Sequence, residues 1–252
     1  MPRPITLLTD FGTADGYVAE LKGVLHSLVP GVTVVDLAHD VAPHDVEAAR
    51  LAVARYWRRF PEGTVHLVVV DPGVGSERAA IAVASEERLL VGPDNGVLSP
   101  ALLVRGARAV TLPVPLSASA TFHGRDVFAP ATARLALGES VDALGEPCTS
   151  PVIRRTPEAH RDADGALVGE VLLIDRFGNA VTNLLARAVG TVEVAGHRIP
   201  VRRTYADVAS GDLVALVGSS GLLEVAQRDG RAADLLALTR GSEVRFNTEH
   251  EG

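Results

Sequence analysis

Residues 65–78 read VHLVVVDPGVGSER. The stretch opens as a short, Val-rich apolar run and stops at an acid followed by Pro72-Gly73, the pattern of a strand buried on both faces. The segments before it repeat the same grammar. Residues 5–8 are a β-branched and leucine run, after which Tyr17, Val18, Leu21, Val24, Leu25 and Leu28 recur at helical spacing up to the Pro30-Gly31 stop. Residues 32–37 form a second strand pattern, and Asp45 opens a helix carrying Ala48, Leu51, Ala52 and Tyr56. This βαβαβ order predicts an α/β fold with a mainly parallel sheet flanked by helices, whose ligands bind beyond the carboxyl ends of the strands. Asp10 and Asp71 stand at two such ends.

Further along, residues 79–84 and 88–91 read as a hairpin, and residues 128–137 as a helix ending at Gly138. Residues 147–165 combine prolines, scattered charges and little apolar periodicity, which reads as a linker. The seven runs at 168–174, 180–185, 191–194, 198–201, 212–217, 222–226 and 243–246 are short and broken by glycines, as in a small all-β barrel or sandwich. Two domains follow, an α/β domain over 1–155 and a small C-terminal β-barrel domain over 156–252.

Bulk properties narrow the partners. A chain of 252 residues with formal charge −7 and no cationic run repels a phosphate backbone, so nucleic acid is not an expected partner. The single cysteine, Cys148, excludes an intrachain disulfide and a multi-cysteine metal cluster. The apolar run before Asp10 is too short for a signal peptide or a membrane span, so a soluble, cytoplasmic protein is expected.

Each acid or histidine near a strand end has a plain role and a chemical one. The 71–78 turn lacks the Gly-Lys-Ser/Thr of a Walker loop, so its glycines serve a sharp turn. Asp71 is then a turn acid or a reactive one. Asp10, ahead of Phe11-Gly12, suits a ribose diol or a metal. Asp15 suits the N-terminus of the following helix. In HDVAPHDV (39–46), His39, Asp40, His44 and Asp45 lack an i, i+4 ligand pair and Pro43 intervenes, so no metal is expected. His123 in TFHGRDVF (121–128) is a loop histidine ahead of a helix. In IDRFGNAVTN (174–183), Asp175, Phe177 and Asn179 mix an acid, an aromatic and an amide, suited to an amine plus a heteroaromatic ring; a plain turn on Gly178-Asn179 is the alternative.

Taken in order, LLTDFGTADGYVAELKGV, VVDPGVGSER, GPDNGVL, TFHGRDVFAPATARLALG and IDRFGNAVTN closely resemble the S-adenosyl-L-methionine (SAM) hydroxide adenosyltransferases, relatives of the fluorinase and chlorinase. The resemblance spans nearly the whole chain. It implies an N-terminal α/β domain, a C-terminal β-barrel, and a homotrimer with SAM between the N-domain of one subunit and the C-domain of the next. The implied reaction is attack of water on the ribose C5′ of SAM, giving adenosine and L-methionine, with SAM as substrate and no cofactor.

By position, the resemblance makes Asp10 the acceptor of the ribose hydroxyls and sets Asp15 and Asp175 beside the methionine ammonium. Phe177 and Tyr205 flank the adenine, Asn179 reads its polar edge, and Ser219 and Ser220 take the methionine carboxylate. Two departures stand out: Ser220 replaces an arginine of the fluorinase, and His44 replaces a tryptophan that contacts the ribose region. Asp71, Arg78 and His123 match the family's water-activating set. Where the halogenases line a halide pocket with tyrosine and serine, this chain has Asp71 and Gly124. The competing expectations are a SAM-dependent halogenase, a metal-dependent phosphatase built on Thr9-Asp10, and a non-catalytic SAM or adenosine sensor.

Overall fold

A computed structural model describes residues 1–185 and 189–248. The chain divides into two compact units, Met1–Arg155 and Thr156–Gly252.

The first unit runs β1 (Ile5–Thr9), α1 (Tyr17–Leu28), β2 (Val34–Ala38), α2 (Val46–Tyr56), β3 (Val65–Val69), β4 (Ala80–Ser85), β5 (Arg88–Pro93), α3 (Ser99–Leu102), β6 (Arg108–Leu112), α4 (Ala129–Ala136) and β7 (Glu146–Pro147). Its sheet has the order β2-β1-β3-β5-β4-β6-β7. The pairs β1/β2, β1/β3 and β3/β5 are parallel, whereas β4/β5, β4/β6 and β6/β7 are antiparallel. The expectation of a mainly parallel sheet is therefore corrected to a mixed one. The cause is local: Glu86 and Glu87 both take positive φ, 45° and 57°, forming the two-residue turn that forces β4 and β5 antiparallel. β5 then slots beside β3, and the rest of the sheet grows from β4.

Alternation sorts the strand residues between two layers. Ile5, Leu7, Val65, Leu67 and Val69 pack with Leu21 and Leu25 of α1 and Leu135 of α4. Leu8, Val68 and Val70 face the other way, with Val46, Ala49 and Val53 of α2 and Ala101 of α3. Burial on both faces is why 65–70 lacks polar alternation. In β1 and β3, Thr9 pairs with Val69, so Asp10 and Asp71 leave neighbouring strands at the same edge.

Helix ends follow partly from sequence. Asp45 caps α2, accepting the Ala48 N–H at 2.9 Å. α1 instead starts after Gly16 at φ 81°, with no side-chain cap; Asp15 lies exposed ahead of it and is not the capping acid. The segment read as a linker is tied down: the Val152 N–H donates to Asp94 Oδ1 and the Arg154 N–H to Ser99 Oγ, both at 2.8 Å.

The second unit comprises β8 (His160–Arg161), β9 (Leu167–Ile174), β10 (Ala180–Thr182), β11 (Thr191–Val194), β12 (His197–Pro200), β13 (Leu213–Val217), β14 (Leu223–Gln227), α5 (Ala232–Leu235) and β15 (Glu243–Asn247). The strand path is β12-β11-β15-β9-β10-β14-β13, with β8 on β9. A bridge between Val201, just after β12, and Ala215 of β13 brings the ends of the path together, making the sheet nearly barrel-shaped around Val171, Val192, Val225 and Phe246. Among the described residues no helix is long and apolar enough to cross a membrane.

Candidate active site

Asp71 follows β3, and the backbone before it is held from the side: Asn95 Nδ2 donates to Val70 O at 2.9 Å. The glycines of the 71–78 turn have specific work. A Cβ on Gly73 would stand 3.1 Å from Arg78 Cγ, and one on Gly75 would stand 2.5 Å from Ala120 O. Their absence lets Arg78 fold back on Asp71 and lets the turn press against the loop that leads to His123. The turn holds an acid and a base together.

Arg78 grips Asp71 as a fork, with Nε donating to Oδ1 at 2.8 Å and Nη2 to Oδ2. The two side chains are 10% and 6% exposed, so the pair is buried and doubly hydrogen-bonded. Nη2 also lies 3.0 Å from Nδ1 of His123. A guanidinium only donates, so Nδ1 is the acceptor and His123 carries its proton on Nε2. Burial, and then the Arg78 charge, lower the imidazole pKa below its usual value, against the opposing pull of Asp71 and Asp126.

Asp10 continues from β1 and accepts the His44 backbone N–H on Oδ2 at 2.8 Å. His44 reaches that position in the left-handed region, at φ 69°. The two histidines of HDVAPHDV thus diverge: His39 is buried against Thr9 Oγ1 at 2.9 Å, while His44 is exposed. Among the described residues no group of three or more His, Cys, Asp or Glu converges as a metal site.

A cavity of about 260 Å³ brings Asp10, His44, Asp71, His123 and Gly124 together with Phe11, Tyr17 and Phe122. The three rings meet edge to face, with centroids 5.5 to 6.0 Å apart. Sequence reasoning did not assign them to the site. Their signal was present, because each flanks an acid or histidine motif: DFG, GYV and TFHG.

The remaining residues lie in the second unit. Asp175 builds the turn after β9, its Oδ1 accepting the N–H groups of Phe177 and Asn179 at 2.9 Å and its Oδ2 accepting Asn179 Nδ2 at 3.1 Å. The plain turn is therefore formed, and it thrusts Phe177 outward, 74% exposed. Tyr205 OH donates to Glu224 Oε2 at 3.2 Å; burial, then the Glu224 charge, push its pKa up to about 12, with Asp175 adding to the effect. Ser219 and Ser220 occupy the exposed turn between β13 and β14. Glu224, the partner of the Tyr205 hydroxyl, carried no signal in the sequence because it sits within an otherwise apolar strand pattern.

A family profile described as the SAM hydroxide adenosyltransferase N-terminal domain matches residues 5–145, and the profile of the C-terminal domain matches 169–245. The chain belongs to the SAM hydroxide adenosyltransferase family. Within and around that family, it is 47% identical to the (R)-S-adenosyl-L-methionine hydrolase of Thermus thermophilus, over 97% of this chain and 99% of that protein. It is 31% identical to the fluorinase of Actinopolyspora mzabensis, over 96% and 97% of the two chains. The crystal structure of an uncharacterized conserved protein from Thermotoga maritima superposes with a TM-score of 0.87 at 31% identity, covering 96% of this chain and 99% of that one. Membership in the SAM hydroxide adenosyltransferases thus extends over both units.

Proposed function

We propose that this chain hydrolyses SAM at the ribose C5′, giving adenosine and L-methionine. The observation that carries the mechanism is the Arg78 guanidinium joined to both Asp71 and His123 at the wall of the cavity that Asp10 also lines.

The oxygen of a water bonds to C5′ as the C5′–S bond breaks, and the bonding pair returns to sulfur to leave a neutral thioether. Asp71 accepts the water proton as the new bond forms, since a general base need act only in the transition state. Arg78 fixes the carboxylate, whose oxygens each keep a lone pair for that proton. Neutral His123 points its Nε2–H as a donor that orients the water. The sulfonium is an activated leaving group already, so most of the acceleration comes from holding the water about 3 to 3.5 Å from C5′ and in line with sulfur. That chemistry calls on no metal or organic cofactor.

The same carboxylate sets the choice of nucleophile. An ionised Asp71 about 4 Å from a halide repels it by roughly 4 kcal/mol at an effective dielectric near 20, a repulsion that the paired Arg78 charge partly offsets. Water carries no such penalty.

Asp10 holds the ribose hydroxyls through charge-assisted hydrogen bonds, with His44 in the ribose region and Asp15 beside the methionine ammonium. In the second unit, Phe177, Asn179 and Tyr205 take the adenine, and Asp175, Ser219 and Ser220 the methionine end. Assembly as a homotrimer is part of this reading, and light scattering tests it. Incubation with SAM followed by chromatography tests the reaction: adenosine and L-methionine are expected in equal amounts, and no adenosine above a heat-killed control overturns the proposal.

A further inference from the structure

His123 is the last residue before a turn of π-helix, Gly124–Phe128, that leads into α4. Such turns are uncommon and frequently mark functional sites. Asp126 ties this one to the loop before it. Its Oδ2 accepts the Ser119 N–H at 2.8 Å and Arg125 Nη2 at 3.0 Å, while its Oδ1 accepts Arg125 Nε at 2.7 Å. The carboxylate thereby closes residues 119–126 into a loop around His123. Arg125 carries the brace outward, its Nη1 donating to Glu20 Oε2 on α1 at 2.9 Å and its guanidinium lying 5.1 Å from the centre of the Phe122 ring.

Phe11, Tyr17 and Phe122 line the Asp71 cavity and also, with Glu20, Ser119 and Arg125, a second hollow of about 350 Å³. Phe11 and Phe122 pack against the core as well, and the Arg125 guanidinium adds to that packing at the Phe122 ring.

Building on the hydrolase reading, we propose that Arg125 and Asp126 are positioning residues for water attack, holding His123 against Arg78 and the Phe122 wall against the cavity, with Glu20 as the anchor on α1. Arg125 and Glu20 are 36% and 46% exposed, where an ion pair adds little to stability. Their effect therefore falls on geometry and turnover more than on folding.

The test compares wild type, Arg125→Gln, Asp126→Asn and Glu20→Gln in SAM turnover, with SAM affinity by calorimetry and thermal melting alongside. Wild type forming no adenosine would overturn the hydrolase reading itself, before the brace is at issue. With wild type active, kcat is expected to fall about tenfold in Arg125→Gln and Asp126→Asn, while the SAM dissociation constant stays within about threefold. Asp126→Asn adds a second readout. The charged groups facing His123 are Arg78, Asp71 and Asp126, so loss of the last moves the acid limb of the kcat profile to lower pH. Unchanged kcat in both variants overturns the proposal, as does a fall in affinity matching the fall in kcat, or an acid limb that stays in place. Should either variant fail to fold, Glu20→Gln decides: a loss of about threefold in kcat at unchanged affinity supports the brace, and full activity refutes it.

Discussion

Nη2 of Arg78 stands 3.0 Å from Nδ1 of His123 while its guanidinium also grips Asp71. Protonating Nδ1 would set two donors against each other in a buried site, so the arrangement exists only with a neutral ring. A base whose folded pKa is lowered stays neutral until the pH drops through that lowered value. The kcat profile is therefore expected to be level through neutrality and to lose its His123-dependent part only below the usual imidazole range. A pH–rate series on the wild type checks this; an acid limb centred above 6.5 that vanishes in His123→Gln would contradict it.

Asp71→Asn keeps the size of the side chain and one acceptor oxygen for Arg78, but removes the proton acceptor. Turnover should drop by about 10² to 10⁴. SAM affinity, measured by calorimetry, should change little under the proposed role, in which Asp71 acts on the water and not on the nucleoside. Equal losses in both would assign Asp71 a structural role.

Gly124 has an ordinary φ, so backbone strain does not restrict it, but a Cβ there would lie 3.3 Å from Phe122 Cε2, 3.4 Å from Val69 Cγ1 and 3.5 Å from Leu21 Cδ2. Gly124→Ala pushes the Phe122 ring by a few tenths of an ångström at the cavity wall. The expected outcome is a loss of about tenfold in kcat/KM with a stability change of about 1 kcal/mol or less. Wild-type kinetics would show that the water pocket tolerates the methyl.

At the opposite end of β3, His66 is fully buried, with Nδ1 2.7 Å from Thr6 Oγ1 and its ring edge to face with Tyr56 and Phe60. Burial first, and then the Arg88 charge, lower its pKa to about 4. The unfolded chain binds this proton near pH 6.5 and the folded chain only near 4. Stability from this group is thus complete above 6.5 and is lost as the pH falls toward 4, by roughly 3 kcal/mol across the window. Urea denaturation at pH 7 and pH 4.5 should show the drop, and His66→Gln should lessen the pH slope by one proton. Parallel slopes for wild type and variant would refute the assignment.

The sequence carried the helices and the parallel core well, because α1, α2 and β3 each write their burial as a periodicity and Asp45 announces its helix. It carried less about partners. Residues 79–91 read correctly as a hairpin, yet periodicity does not say that β5 would insert beside β3 and turn half the sheet antiparallel. α5, at four residues, is too short to show a period. The π-helical turn after His123 is equally silent, since its signature is a hydrogen-bond offset that residue type does not encode. In the site, Asp71, Arg78 and His123 were legible as a set only through the family resemblance, because taken singly a turn acid, a surface arginine and a loop histidine carry no pairing signal. The three rings were not, because Tyr17 also fits the apolar stripe of α1 and Phe11 and Phe122 each pass for a lone loop residue.

Under the proposed reaction the oxygen of water becomes the 5′-hydroxyl oxygen of adenosine. Turnover of SAM in ¹⁸O-enriched water containing chloride and fluoride, followed by mass spectrometry of the products, measures that directly. Adenosine heavier by one ¹⁸O substitution and unlabelled L-methionine are expected, formed far more slowly in Asp71→Asn. Unlabelled adenosine, or a 5′-halogenated nucleoside as the main product, would contradict the proposal.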